Sequence, residues 1–189
     1  MTSDAELIGR SLAGDGQAFM EVIARHEVAV GAYLARRAGR EAAEDLLGDV
    51  WVAAFESRIT YDRSFAGARP WLYGVALNRL RHYWRSRPAE DLVPDVTSIA
   101  NGWDPWPAVD ARVDTQAVLR AALAKLRSEE REVLTLVAWE DQTVADAARV
   151  LGIPAGTARR LLHQARMALR NAPEVAALLT DFNSVKESL

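Results

Sequence analysis

The sequence predicts an all-α protein built from two small helical domains, and three observations support this fold class. Apolar residues recur at three- and four-residue spacing through most of the chain, and no segment alternates apolar and polar residues convincingly as a strand would. Capping residues and helix-ending glycines separate the periodic segments. One stretch, residues 88–111, lacks this periodicity and is rich in proline and acids, which is typical of a linker. We therefore expect domains at 1–87 and 112–171, followed by a tail at 172–189.

The first two helices are marked by their capping residues. Ser3 and Glu6 form a capping box for a short helix that we expect to end at Gly14. Asp15 is the expected N-cap of a longer second helix, which ends near Gly39.

The third and fourth helices complete the first domain. The third is predicted at residues 41–55, with an apolar, inward face formed by Ala43, Leu46, Leu47, Val50, Ala54 and Phe55. The fourth begins with Pro70 in its first turn, where proline is tolerated, and ends before Pro88.

The second domain is predicted to be helical throughout. Its first helix is indicated by apolar residues at helical spacing: Val118, Leu119, Ala122, Leu123 and Leu126. Ser128 is expected to cap the next helix, and Thr143 the one after it. Gly152 is expected to end that helix in the left-handed conformation, and Pro154 prevents its continuation. Thr157 is the expected N-cap of the last helix.

Charge is distributed unevenly along the 189 residues. The net charge is −3, yet residues 63–88 hold six Arg and residues 147–173 hold five, and neither window contains an acid. The rest of the chain has 12 basic and 26 acidic residues. Since local patches decide what a surface attracts, the two basic windows are candidate nucleic-acid surfaces.

Several classes of site are not supported by the composition. The chain has no Cys, and its three His are isolated, so we expect no metal site, and nothing indicates a cofactor. We find no nucleophile–base pair and no glycine-rich phosphate loop, so we expect neither catalytic residues nor a small-molecule substrate. The N-terminus lacks the pattern of a signal peptide, and no apolar run is long enough to insert in a membrane, so we expect a cytoplasmic protein.

The last helix of the second domain has one apolar and one basic side. The basic side carries Arg159, Arg160, His163, Gln164, Arg166 and Arg170. Such a side is often simply a solvated surface, but the absence of acids between residues 147 and 173 favours binding in a DNA major groove. The turn after Gly152 makes this segment a helix-turn-helix.

The fourth helix carries an aromatic and basic arc opposite its apolar one. The residues of that arc are Trp71, Val75, Asn78, Arg81, His82 and Arg85. Aromatic, amide and basic groups on one face suit single-stranded nucleic acid. Alternatively, Trp71 packs under the preceding loop as a hydrophobic staple. The pattern alone leaves both interpretations open.

The third helix carries an acidic stripe made of Glu41, Asp45 and Asp49, with Glu44 beside it. Like charges at this spacing destabilise a helix slightly. Either the stripe is a solvated face, which the spacing alone favours, or it is a docking surface for a basic partner helix.

Three segments, taken in order, resemble one protein family. AEDLLGDVWVAAFE is similar to the core-polymerase-binding helix of the sigma-70 family, and WLYGVALNRLRHYWRSR is similar to its promoter-melting helix. LGIPAGTARRLLHQARMALR is similar to the recognition segment. The whole resembles the two-domain extracytoplasmic-function (ECF) sigma factors of bacteria.

The resemblance implies a role for the acidic stripe and for the melting helix. Glu44, Asp45 and Asp49 would dock on a coiled coil of the polymerase β′ subunit. The loop Tyr61–Arg69 would form a pocket for a base flipped from the −10 promoter element. Residues of this loop that would face the single strand are Tyr61, Arg63 and Phe65. Asn78 would contact the melted strand, and its phosphates would lie near Arg81, His82 and Arg85.

The resemblance also implies a role for the last helix and a set of partners. Thr157, Arg159, Arg160 and His163 would address the −35 element, with Arg166 on the same face. Leu161 stands where the family usually has Arg, which is a departure from the pattern. The implied partners are core RNA polymerase, through its β′ and β subunits, promoter DNA and an anti-sigma factor, and the acidic linker would thread the polymerase cleft.

The two alternative classes of protein are an autonomous helix-turn-helix repressor and an enzyme with helical domains. An autonomous helix-turn-helix repressor would need a dimerisation helix, which the pattern does not indicate, and it would bind duplex DNA without polymerase. An enzyme with helical domains would need the catalytic groups that we do not find.

Overall fold

The computed structural model describes residues 2–65, 67–86, 118–119, 121–173 and 175. The predicted linker at 88–111 lies outside these residues, as does the tail beyond 175. The described part is all-helical, with no strand among its residues, which confirms the predicted fold class.

The N-terminal helical group consists of four α-helices and a short 3-10 turn. Helix α1 spans Asp4–Leu12, α2 spans Gly16–Ala38, α3 spans Arg40–Ser57 and α4 spans Arg69–Arg85. The 3-10 turn at Arg58–Thr60 follows α3 directly. Pro70 lies in the first turn of α4, as predicted.

The C-terminal helical group follows the gap in the described residues. Its backbone is helical at 118–119 and 121–124. Helix α5 then spans Ser128–Ala138, α6 spans Val144–Leu151 and α7 spans Ala155–Arg170.

Local capping accounts for the starts of α1, α2 and α6 and for the end of α6. The Ser3–Glu6 capping box is present, and Asp15 accepts N–H groups of the first turn of α2. Thr143 accepts the N–H of Asp146 at 3.1 Å. Gly152 has φ 69° and ψ 33°, so its left-handed conformation ends α6 as predicted.

Two predicted caps are wrong. Helix α5 already includes Ser128, and its N-cap is Arg127, whose N–H is accepted by Glu130 at 3.2 Å. Helix α7 begins at Ala155 after Pro154, so Thr157 lies inside the helix rather than capping it. An extended ψ of 143° at Pro154 allows the helix to begin at the next residue.

The helices bury two apolar clusters. The larger fills the centre of the N-terminal group, where the largest fully buried side chains include Tyr33, Leu72 and Tyr73. It extends into the C-terminal group through Leu136, Ala147 and Val150. The smaller cluster lies among α5, α6, α7 and the segment before α5, which contributes Leu123 and Leu126. The two groups therefore share part of one core.

The apolar face of α3 differs from the prediction at one residue. Phe55 is 42% exposed, and its ring touches Phe19 edge-on with centroids 5.3 Å apart. Phe55 thus lies at the margin of the core. In the described part of the chain, no helix has the length and apolarity that crossing a membrane would require.

Candidate nucleic-acid interface

Helix α4 presents most of its predicted polar arc to solvent. Asn78, Arg81, His82 and Arg85 are exposed, whereas the opposite side of the helix is buried in the core. The packing of its apolar side fixes the rotation of the helix, and this directs the polar groups outwards.

Trp71 and Val75 are the two partly buried residues of this arc, and Trp71 packs on the preceding loop. Its ring centroid lies 5.5 Å from that of Tyr61, and Tyr61 is 6% exposed. The Tyr61 hydroxyl in turn donates to the carbonyl oxygen of Phe65. Trp71 thus supports the loop from one edge, as expected for a hydrophobic staple, while another part of its surface lines a cavity.

The end of this loop is anchored from the N-terminus of α1. The Asp4 carboxylate accepts the N–H of Ala68 at 2.8 Å, and Nε2 of His26 lies 2.7 Å from the same oxygen. Arg25 donates to its other oxygen at 3.1 Å. Burial by itself would raise the pKa of Asp4, but the hydrogen bonds from His26, Ala68 and Arg25 outweigh it and lower the pKa to about 2. A charged carboxylate therefore fixes the start of α4.

An open cavity of about 530 Å³ lies between α4 and the loop. Predicted single-strand residues that line it are Tyr61, Phe65, Trp71, Asn78 and Arg81. The structure thus brings five of the eight together. Arg63 instead lies against Gly9 of α1, and neither His82 nor Arg85 lines the cavity.

The far wall of the cavity comes from the C-terminal group, a contribution that the sequence did not reveal. Arg149, Val150, Leu151 and Gly152 of α6 and its turn line it. A Cβ added at Gly74 would lie 3.9 Å from the Val150 carbonyl oxygen. The mid-helix glycine of α4 therefore faces α6 at close range.

Helix α7 presents the predicted basic side to solvent. Arg159, Arg160, His163 and Arg166 are exposed, and Thr157 is partly buried. Leu161 is 2% exposed and belongs to the smaller apolar cluster. This position faces the core, so Leu161 stabilises the packing of α7, and its neighbours carry the charge.

The acidic stripe of α3 lies on the outer side of that helix. Glu41, Glu44, Asp45 and Asp49 are all exposed, and none forms an ion pair with another described residue. Exposed and unpaired carboxylates are compatible with both interpretations of the stripe, the solvated face and the docking surface.

Comparison with known proteins places this architecture in a family. The protein-family model described as "Sigma-70 region 2" matches residues 22–90, and the family model described as "Sigma-70, region 4" matches residues 116–169. The first match covers the N-terminal group from within α2 onwards, and the second covers the helices of the C-terminal group.

Individual relatives give the same result over most of the chain. The ECF RNA polymerase sigma factor SigM of Mycobacterium tuberculosis is 31% identical over 171 residues, which cover 88% of this chain and 83% of SigM. The RNA polymerase sigma factor CnrH of Cupriavidus metallidurans is 31% identical over 182 residues, which cover 88% of this chain and 92% of CnrH.

Solved structures share the fold. CnrH in complex with the cytosolic domain of CnrY matches with a TM-score of 0.63 and 26% identity, over 94% of this chain and 97% of that chain. The sigma factor RpoE of Bartonella quintana, in complex with the anti-sigma factor NepR, matches with a TM-score of 0.60 and 20% identity, over 83% of this chain and 97% of that chain. The resemblance inferred from the three sequence segments is confirmed, and the chain belongs to the ECF sigma factors of the sigma-70 family.

Proposed function

We propose that α4 and the loop before it hold the melted −10 strand, that α7 recognises the −35 element and that the acidic stripe of α3 docks on the β′ subunit of core RNA polymerase. The chain is a sigma factor, so it acts in transcription initiation with core polymerase and promoter DNA. The proposal assigns these contacts to particular residues.

The cavity beside α4 is the observation that carries the −10 assignment. It joins aromatic rings from Phe65 and Trp71 to the amide of Asn78 and the guanidinium of Arg81. Stacking on an aromatic ring stabilises an unpaired base by roughly 1–3 kcal/mol, and the exposed cation attracts the phosphates. Arg63, His82 and Arg85 lie outside the cavity, so we assign them to the backbone of the strand as it enters or leaves.

The exposed side of α7 supports the −35 assignment. A helix whose opposite side is packed in a core can enter the major groove as a rigid unit. Arg159, Arg160, His163 and Arg166 then face the bases and phosphates, and Thr157 lies near the N-terminus of the helix. Arg160 donates to Gln164 at 3.3 Å, which links two side chains on the basic side of the helix.

The acidic stripe supports docking on a basic partner. Four exposed carboxylates along one side of α3 produce a negative field, which steers a positively charged surface towards them. The apolar side of the same helix is buried, so docking needs no rearrangement of the core.

The remaining assignments concern the organisation and setting of the chain. We divide it into domains at 1–87 and 112–171, with a linker at 88–111, and propose that it works in the cytoplasm without catalytic activity of its own. CnrH forms a complex with the cytosolic domain of CnrY. By analogy, we propose that an anti-sigma factor controls this chain.

Run-off transcription with purified core polymerase tests the proposal. The template is the promoter region of the chain's own gene, and the reactivity of its thymines to permanganate reports melting. We expect a transcript and reactive thymines only when core polymerase and the chain are both present. Tight, sequence-specific binding of the chain alone to this duplex would instead favour the autonomous repressor.

A further inference from the structure

Two adjacent arginines at the end of α2 bind one glutamate of the C-terminal group. Arg36 Nε donates to Glu140 Oε1 at 3.0 Å, and its Nη2 donates to the other oxygen of the same carboxylate. Arg37 Nη1 lies 3.3 Å from Glu140 Oε1, and its Nη2 lies 3.3 Å from Glu132. The Glu140 side chain is only 1% exposed. These four residues form an ion cluster that joins the two groups across about a hundred residues of sequence.

Two aromatic residues of the N-terminal core, Tyr33 and Tyr73, lie beside this ion cluster. The Arg37 guanidinium lies 3.8 Å from the centroid of the Tyr33 ring, which stacks on Tyr73 at 4.7 Å. Burial, followed by the nearby Glu140 carboxylate, raises the pKa of Tyr73 to about 12. The phenol therefore stays neutral and adds no charge beside the ion cluster.

Helix α6 completes the contact by forming the far wall of the cavity beside α4. The guanidinium of Arg149 lies 3.7 Å from the centroid of the Phe65 ring, where it stacks on a face that a base would otherwise use. Leu136, Ala147 and Val150 pack against the N-terminal core below it. The contact between the two groups therefore consists of apolar packing with a buried ion cluster beside it.

We infer that this arrangement is a self-inhibited state, in which the C-terminal group covers the proposed −10 cavity and the ion cluster holds it there. This inference rests on the proposed function, because it takes the cavity to be the place where the melted strand binds. The basic side of α7 remains exposed in this state, so inhibition acts on the single strand and leaves duplex recognition accessible.

The physical chemistry of the cluster suits a contact that must open. Three charges of the cluster are buried, those of Arg36, Arg37 and Glu140, and burial removes their hydration. Their mutual attraction offsets this cost only while the geometry is intact. When the groups separate, water rehydrates all three charges. Loss of Glu140 alone is different, because it leaves two arginines facing each other in a buried site with only Glu132 nearby.

Distances between two spin labels test closure directly. The chain has no Cys, so Gln17→Cys on α2 and Ala168→Cys on α7 provide two exposed labelling positions, one in each group, without background. We expect one narrow distance distribution in the free, full-length chain. Glu140→Ala should broaden it towards longer distances, whereas Glu129→Ala, which removes an exposed acid of α5, should leave it unchanged. A broad distribution in the parent, or a narrow one in Glu140→Ala, would overturn the inference.

Binding of a single strand tests inhibition. The probe is a fluorescein-labelled oligonucleotide with the non-template strand of the same promoter. If about nine-tenths of the molecules are closed, opening should tighten binding by about tenfold in Glu140→Ala. Arg149→Ala, which uncovers Phe65 without touching the ion cluster, should also tighten binding, and it serves as the second variant if Glu140→Ala loses helicity by circular dichroism. Unchanged affinity in folded variants would remove the inhibitory role.

The two assays separate this inference from the proposed function. The label distances involve no DNA, so closure is decided whether or not the cavity binds a strand. The strand assignment is instead tested by the transcription assay and by Asn78→Ala, whose result does not depend on the ion cluster.

Discussion

The carboxylate of Asp4 lies 2.7 Å from Nε2 of His26, at the point where α1, α2 and the start of α4 meet. Because Ala68 N–H also depends on this carboxylate, Asp4→Ala should leave buried donors without an acceptor. We expect the free energy of unfolding to fall by about 2–4 kcal/mol in urea denaturation. Glu27→Ala, an exposed acid on α2, is the matched control. Equal stability of the two variants would show that water replaces the carboxylate at little cost.

Acid denaturation should reveal the same residue. The pKa of Asp4 is lowered from 3.8 to about 2, so its stabilising effect is complete above pH 3.8 and is lost as the pH falls towards 2. The stability advantage of the parent over Asp4→Asn should therefore shrink by about 2 kcal/mol across this window. Unfolding curves at a series of pH values measure it. A difference that stays constant with pH would contradict the lowered pKa.

Gly74→Ala should stabilise the chain. The added methyl would lie 3.9 Å from the Val150 carbonyl oxygen, an ordinary contact, and glycine inside a helix is unfavourable relative to alanine. We expect a gain of about 0.5–1 kcal/mol, measured by thermal and urea unfolding. Gly74→Leu is the paired variant, since its larger side chain should push α6 away. Destabilisation by the alanine itself would mean that α6 approaches α4 more closely than the structure indicates.

Asn78→Ala and Trp71→Ala should differ in their effect on stability, but both should reduce promoter melting. Asn78 is exposed, so its loss should change the free energy of unfolding by less than about 0.5 kcal/mol. Trp71 packs on Tyr61, so its loss should lower stability by about 1–3 kcal/mol. Both variants should reduce permanganate reactivity while retaining affinity for core polymerase. Gln17→Ala removes an exposed amide outside the cavity and should melt the promoter normally. Full melting by both variants would rule out their contact with the strand.

Reversing charge on the acidic stripe should weaken polymerase binding. Asp45→Lys together with Asp49→Lys sets like charge against a basic partner and should weaken association by ~3 kcal/mol or more at moderate salt. Circular dichroism should be unchanged, because both side chains are exposed. Glu27→Lys with Glu129→Lys reverses the same number of charges elsewhere and controls for net charge. If both double variants bind core polymerase like the parent, the stripe is an ordinary solvated face.

The sequence by itself determined the fold class, the helix-turn-helix, the family and most helix ends. These depend on local chemistry: a capping side chain such as Ser3, Asp15 or Thr143 lies within three residues of the backbone N–H from which it accepts a hydrogen bond, and glycine adopts the left-handed conformation of Gly152 without strain. The caps predicted at Ser128 and Thr157 were wrong because more than one residue near each helix start could serve as the N-cap. The packing of the whole helix selected Arg127 and Pro154 instead.

Only the tertiary structure decided which residues meet across the chain. Arg36 and Glu140 are 104 residues apart, and nothing next to either in sequence indicates a partner. The structure likewise placed Gly74 opposite α6, where an added Cβ would make only an ordinary contact, and it explained Leu161 by its burial in the core. Asp4 and Ala68, which position the cavity, lie 64 residues apart. Periodicity fixes which side of a helix is apolar, but the choice of neighbour depends on the packing of whole helices, so these contacts have no local signature in the sequence.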